Sequence, residues 1–151
     1  MPYFASERLR FGRFSETGQL YLLTCQVEQR LPVFADFRLA RLVIQQLRQV
    51  ESERLASSLA WVVMPDHIHW LIELKQGSLE SLMQRFKSRS ARTVNQARQC
   101  SGRFWQVGFH DRALRREDDI LAAARYIIAN PVRAGLVKSV RQYPHWDAVW
   151  L

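Results

Sequence analysis

The sequence predicts an α+β fold: a ferredoxin-like βαββαβ antiparallel sheet with helices packed on it, followed by one more helix toward the C-terminus. Three observations lead there. Two apolar runs, residues 59–64 and 67–74, flank the turn dipeptide Pro65-Asp66, as in an antiparallel hairpin. Apolar residues recur at helical spacing on either side of that hairpin. A further strand-like run and a third helical run come after the second helix, which completes the split-βαβ order.

Residues 1–18 read as a basic N-terminal arm in which Arg8, Arg10 and Arg13 alternate with Phe11 and Phe14. Such a mixture can hold phosphates and stack on bases, and it is equally the composition of a frayed terminus. Residues 19–27 form the first strand, bounded by Gly18. Asp36 is placed as the N-cap of a helix over 37–54, where Leu39, Leu42, Val43, Leu47 and Val50 make the buried stripe. The hairpin follows. Ser78 caps a second helix with Leu79, Leu82, Met83, Phe86 and Val94 on its apolar face, ended by Ser101-Gly102. Residues 104–110 read as the fourth strand, with Gly108 marking a bulge. Glu117-Asp118-Asp119 open the third helix, since acids in a first turn complement the helix dipole. Pro131 disfavours helical geometry in Asn130, so this helix is expected to end there, and a short helical turn to run on to Gly135. Tyr143, Trp146 and Trp150 are expected to pack back on the domain.

A chain of 151 residues with 48% hydrophobic residues has enough material for one well-packed domain, and 1–151 is read as that domain. No apolar run approaches the roughly 20 residues of a membrane span, and the early arginines interrupt any signal-peptide core. Cys25 and Cys100 lie far apart in no metal-binding pattern and read as free thiols of a cytoplasmic protein. The formal charge is +8. Residues 85–116 hold nine basic residues and one acid, so the whole excess sits in that segment. A solvated basic face is the plain explanation. An excess made almost wholly of arginine favours phosphate recognition, because guanidinium pairs bidentately with phosphate oxygens.

In a strand, side chains alternate, so His67 and His69 share one face and Ile68 takes the other. Two adjacent imidazoles on one face, just after a turn, can grip one metal ion. Tyr126 and Asn130 stand four residues apart, on one face of the third helix. Together these suggest a metal held by His67, His69 and Asn130, with a tyrosine hydroxyl close by. Asn130 either completes that ligand set or caps the turn before Pro131.

The His67-Ile68-His69 strand after Met64-Pro65-Asp66 resembles the motif of the His-hydrophobic-His endonucleases. The stretch Tyr126-Ile127-Ile128-Ala129-Asn130-Pro131-Val132-Arg133-Ala134-Gly135 resembles the helix that carries the catalytic tyrosine of the single-tyrosine transposases, and more narrowly of the REP-associated tyrosine transposases, relatives of the IS200/IS605 insertion-sequence enzymes. Residues 86–92 and 104–112 add to the likeness, which runs over about residues 8–145. It implies cleavage and joining of single-stranded DNA beside a REP-like hairpin. Tyr126 would attack a backbone phosphate to leave a 5′-phosphotyrosine link, and Mg²⁺ or Mn²⁺ would sit on His67 and His69. Insertion-sequence relatives often use a Gln four residues after the tyrosine as third ligand; Asn130 here is one methylene shorter. Lys87, Arg89 and Arg92 are read as phosphate contacts, and Arg8, Arg10 and Arg13 as residues that clamp flanking DNA. His110 and Asp111 are candidates for the outer shell of the site. The REP-associated branch implies a monomer, whereas insertion-sequence relatives work as dimers that mix active sites.

Two other functions fit parts of the pattern. A non-catalytic module could bind single-stranded DNA or RNA on a ferredoxin-like sheet, but such a sheet favours exposed aromatic residues where this one has imidazoles. A metal-dependent phosphoesterase for a small substrate would not need so large a charge excess.

Overall fold

The computed structural model describes residues 15–150. Its centre is a five-stranded antiparallel sheet. Strands β1 (Leu20–Gln26), β2 (Ala56–Met64), β3 (His67–Leu74), β4 (His110–Leu114) and β5 (Trp146–Ala148) lie in the order β4-β1-β3-β2-β5. Helices α1 (Phe37–Ser52) and α2 (Leu79–Arg98) cover one face. Helix α3 (Glu117–Arg133) covers the other. The first four strands and first two helices follow the βαββαβ plan that the sequence predicts.

Strand alternation assigns each residue to one of the two cores. Tyr21, Leu23 and Cys25 of β1 and Ile68, Trp70, Ile72 and Leu74 of β3 pack under α1 and α2 with Val43, Ile44, Leu47, Leu82 and Phe86. The intervening residues face α3, where Val62, Met64, Leu71 and Leu114 meet Ala123, Ala124 and Ile127. The two small alanines let α3 lie close to the sheet. His67 and His69 alternate with Ile68, so both belong to the α3 face.

Both predicted N-caps are in place. Asp36 Oδ1 accepts from the backbone N–H of Arg38 and Leu39 at 2.9 and 3.3 Å. Ser78 forms a reciprocal capping box with Ser81. Each such cap contributes about 1 kcal/mol. Helix α2 closes on Gln99 in the left-handed region, just ahead of the expected Ser101-Gly102 stop. Both cysteines are free, Cys25 buried and Cys100 exposed.

Three expectations need correction. The fourth strand is not residues 104–110. Phe104 and Trp105 are buried under α2, and Trp105 makes only an isolated bridge to Val27. Cys25 and Gln26 then face four residues, Gln106 to Phe109, across the ladder. The chain absorbs that excess at Gly108, whose φ is +77°, and regular pairing starts at His110. The Lys87 ammonium fastens the bulge by donating to the carbonyls of Gln106 and Gly108 at 2.8 and 2.6 Å.

Helix α3 does not end at Asn130 either; it runs through Pro131 to Arg133. Proline removes the donor that the Ile127 carbonyl would otherwise receive. Burial of Ile127, Asn130 and Pro131 against the sheet offsets that loss within the last turn. The tail, finally, contributes a short fifth strand, with Tyr143 buried and its hydroxyl donating to the Val63 carbonyl at 2.6 Å, while Trp150 stays exposed. No helix among the described residues is long and apolar enough to cross a membrane.

Candidate active site

The site lies where the start of β3 meets the C-terminal half of α3. The Pro65-Asp66 turn ends β2 and aims β3 back across the sheet, and the first residue of β3 is His67. The rings of His67 and His69 stand edge to face with centroids 4.9 Å apart.

Each imidazole is fixed through Nδ1. Asp66 Oδ1 lies 2.7 Å from His67 Nδ1, and Asp66 Oδ2 accepts from Arg30 Nε at 2.9 Å. A carboxylate only accepts, so His67 carries its proton on Nδ1 and turns the Nε2 lone pair outward. Thr24 Oγ1 lies 2.8 Å from His69 Nδ1, across the β1–β3 ladder where the two residues are paired. That contact fixes the orientation of the His69 ring, with a hydroxyl that can accept from Nδ1–H or donate to Nδ1. A carboxylate behind a ligating histidine sets its tautomer as well as its orientation.

Burial keeps both imidazoles neutral. It lowers the His67 pKa against the opposing pull of Asp66. For His69, which is only 9% exposed, burial and then the charges of His67, Arg133, His110 and Arg30 lower it to about 3. Burial raises the Asp66 carboxyl, yet the hydrogen bonds from His67 and Arg30 outweigh it and hold that carboxyl below its usual range. Neutral imidazoles are the form that binds a cation, and His67 has its Nε2 lone pair free for one.

Tyr126 reaches this pair from α3. Its ring centroid is 5.5 Å from that of His69, in an edge-to-face contact within one chain. The residue is 47% exposed, unusual for a tyrosine on a helix that otherwise packs against the sheet. Arg133, two turns along, lays its guanidinium carbon 4.0 Å above the ring and donates from Nη2 to the Tyr126 carbonyl at 2.8 Å. Asn130, between them, is 8% exposed, and its side-chain nitrogen has no hydrogen-bond partner among the described residues. A buried amide with one unsatisfied end is expensive, and a bound group offers it a partner.

Of the residues picked from sequence, His67, His69 and Tyr126 come together, with Asn130 one turn away. His110 pairs with Thr24, on the same sheet face as His69. Asp111 pairs with Leu23 and so takes the opposite face. Lys87, Arg89 and Arg92 stand on α2, on the far side of the sheet from the histidines. Lys87 holds the 106–108 bulge, as above, and Arg89 grips Glu53 with two bonds of 2.6 and 2.8 Å, while Arg92 is exposed. Arg8, Arg10 and Arg13 lie outside the described residues. Thr24, Arg30 and Arg133 were missed. Only Arg133 left a local trace, since its spacing of seven from Tyr126 puts it on the same helix face.

No group of three or more His, Cys, Asp or Glu side chains that could hold a metal gathers among the described residues. A divalent ion here would draw on the two imidazoles, the Asn130 amide and oxygens of a substrate. An amide oxygen and phosphate oxygens suit Mg²⁺ or Mn²⁺.

The family described as "Transposase IS200 like" matches residues 17–130. The chain is 33% identical over 98 residues to the REP-associated tyrosine transposase of Escherichia coli K12, an alignment that covers 64% of this chain and 56% of that protein. It is 30% identical over 100 residues to a protein of Haemophilus influenzae provisionally assigned the same name, covering 58% of this chain and 56% of that one. The chain thus spans little more than half the length of the curated relatives it matches. A solved structure of a REP-associated tyrosine transposase bound to a REP hairpin superimposes with a TM-score of 0.75 at 25% identity, over 89% of this chain and 79% of that one. The family match takes in all four predicted strands and reaches both the histidine pair and Tyr126, and the chain belongs to the IS200-like transposase family.

Proposed function

We propose that this protein cuts and rejoins single-stranded DNA next to a REP-like hairpin, with Tyr126 as nucleophile. The observation that carries the reading is the contact of Tyr126 with His69 in one chain, where two motifs distant in sequence form one site. The likeness to a transposase bound to a REP hairpin supports the choice of substrate.

In the forward step the Tyr126 hydroxyl oxygen attacks the scissile phosphorus. The bond from phosphorus to the 3′-oxygen breaks. The phenol proton passes to solvent, and the 3′-oxygen takes one up. The product is a 5′-phosphotyrosine and a free 3′-hydroxyl. The covalent link conserves the phosphodiester energy, so joining is the reverse attack by a 3′-hydroxyl and needs no nucleotide cofactor. When bound by His67, His69 and Asn130, Mg²⁺ or Mn²⁺ supplies Lewis-acid stabilisation of the charged phosphoryl oxygens. The protein's own part is to present neutral imidazoles held by Asp66 and Thr24, and to place the phenol beside them.

Both halves of the site come from one chain, which supports action as a monomer, and action on DNA supports a cytoplasmic location. Arg92, on α2 across the sheet, is proposed to contact DNA phosphates at a distance from the chemistry, and Arg8, Arg10 and Arg13 are proposed to clamp flanking DNA.

The test is incubation of the protein with a labelled hairpin carrying its flanking single strand, with Mn²⁺ or Mg²⁺. A protein–DNA adduct that survives denaturant is the expected result. Cleaved DNA with no adduct points to a hydrolase instead, and DNA bound but never cut points to a binding module.

A further inference from the structure

Two arginines impose their charge on His69, Arg133 and Arg30. Arg30 is committed to Asp66 at 2.9 Å. Arg133 contacts no carboxylate among the described residues, and it is exposed. Among the described residues, its hydrogen bond and its ring contact both belong to Tyr126: the carbonyl that accepts from Nη2, and the ring under its guanidinium. The geometry follows from the helix. Side chains tilt toward the N-terminus, so a long residue at position 133 folds back over the turns before it.

Resting on the reaction proposed above, we infer that Arg133 is the phosphate clamp for Tyr126. The Nη2 bond to the helix backbone and the contact with the ring hold the guanidinium beside the phenol. The remaining N–H groups of its planar fork are left to meet the non-bridging oxygens of the phosphate that Tyr126 attacks. The ammonium of Lys87 and the guanidinium of Arg89 cannot serve here, since they lie across the sheet. Arg133 therefore has two linked tasks. It positions the nucleophile, and it neutralises the phosphoryl group during transfer, a use of fixed charge that commonly changes rates by about 100-fold or more.

The experiment uses the full chain and the labelled hairpin with its flanking single strand. Adduct formation is measured in single turnover at saturating DNA, with Kd and thermal melting measured in parallel. Arg133→Gln keeps a polar side chain but loses the charge and the fork, and Arg133→Lys keeps the charge but loses the fork. The expected result is a rate lower by about 100-fold in Arg133→Gln, Kd within about threefold of wild type, an unchanged melting temperature and only partial recovery in Arg133→Lys. An Arg133→Gln rate within about threefold of an active wild type overturns the clamp and leaves the proposed reaction standing. A wild-type protein that forms no adduct overturns both.

Discussion

Thr24 Oγ1 and His69 Nδ1 lie 2.8 Å apart between directly paired residues of β1 and β3. Sheet register alone sets this contact, and the strand that bears the candidate ligands is thereby oriented by its neighbour.

Replacing Thr24 with Val keeps the branched shape and removes the hydroxyl. Loss of such a supporting contact typically weakens metal affinity or activity by about 10- to 100-fold. Mn²⁺ titration calorimetry and adduct assays on Thr24→Val are expected to show a drop of that size with little change in melting. Wild-type Mn²⁺ affinity in this variant would remove Thr24 from the site.

Tyr126 is half exposed and contributes little to the core. Tyr126→Phe is therefore expected to fold normally, to bind the hairpin within about twofold of wild type, and to form no adduct, a loss of at least about 1,000-fold for removal of a nucleophile. A Phe variant that still becomes linked to DNA would show that another residue attacks.

His67→Ala and His69→Ala each remove one of two imidazoles. Both are expected to lose detectable Mn²⁺ binding in calorimetry and metal-dependent cleavage. Retention of Mn²⁺-stimulated cutting in either variant contradicts a metal held by the pair.

The sheet face that carries the site also carries Arg112, which pairs with Leu22 on β1 and is exposed. Arg92 is exposed on the opposite layer. A strand of DNA laid across the histidines is expected to touch Arg112 more closely. Binding measured from low to high salt should lose about one unit of log–log slope in Arg112→Ala and less in Arg92→Ala. The reverse order would move the DNA path to the α2 side.

Glu53 joins the two helices of the other layer. A hydrogen bond from Arg89, aided by Gln49 and by the charge of Arg85, outweighs burial and holds the Glu53 pKa at about 2, below its usual 4.5. A carboxyl depressed on folding stabilises the fold above its usual pKa, and that stabilisation fades as the pH falls toward 2. Glu53→Gln is expected to melt a few degrees below wild type at pH 7, on the order of 1 kcal/mol for a partly exposed pair. The gap should close near pH 2. A gap that persists there means the pair is not what Glu53 contributes.

Strand β3 was legible to the residue, because an apolar run after Pro65-Asp66 leaves one register that buries Ile68, Trp70 and Ile72. The helix starts at Asp36 and Ser78 were legible for a similar reason, since capping is local chemistry. What failed was non-local. Phe104 and Trp105 look like strand residues but are held by the aromatic core they fill. Asn130-Pro131 looks like a stop, yet tertiary burial carries the helix past it. A three-residue strand such as β5 leaves no periodicity to detect. In the site, the residues with distinctive chemistry stood out, whereas Thr24 and Arg30 acquire roles only through the strand and turn that bring them to His69 and Asp66. The basic segment was legible as charge, but that Arg89 pairs with Glu53, the C-cap of a different helix, depends on tertiary packing.

The two edges of the sheet bear on behaviour in concentrated solution. One edge, β5, is three residues long, and the other, β4, begins beside a bulge and carries His110, Asp111 and Arg112 in succession. Unpaired edge strands are templates for aggregation when they are long, flat and apolar, and short strands, bulges and charged side chains suppress this. Neither edge here offers a continuous apolar ladder for another chain to extend, so self-association through strand addition is disfavoured despite a strongly apolar sheet interior.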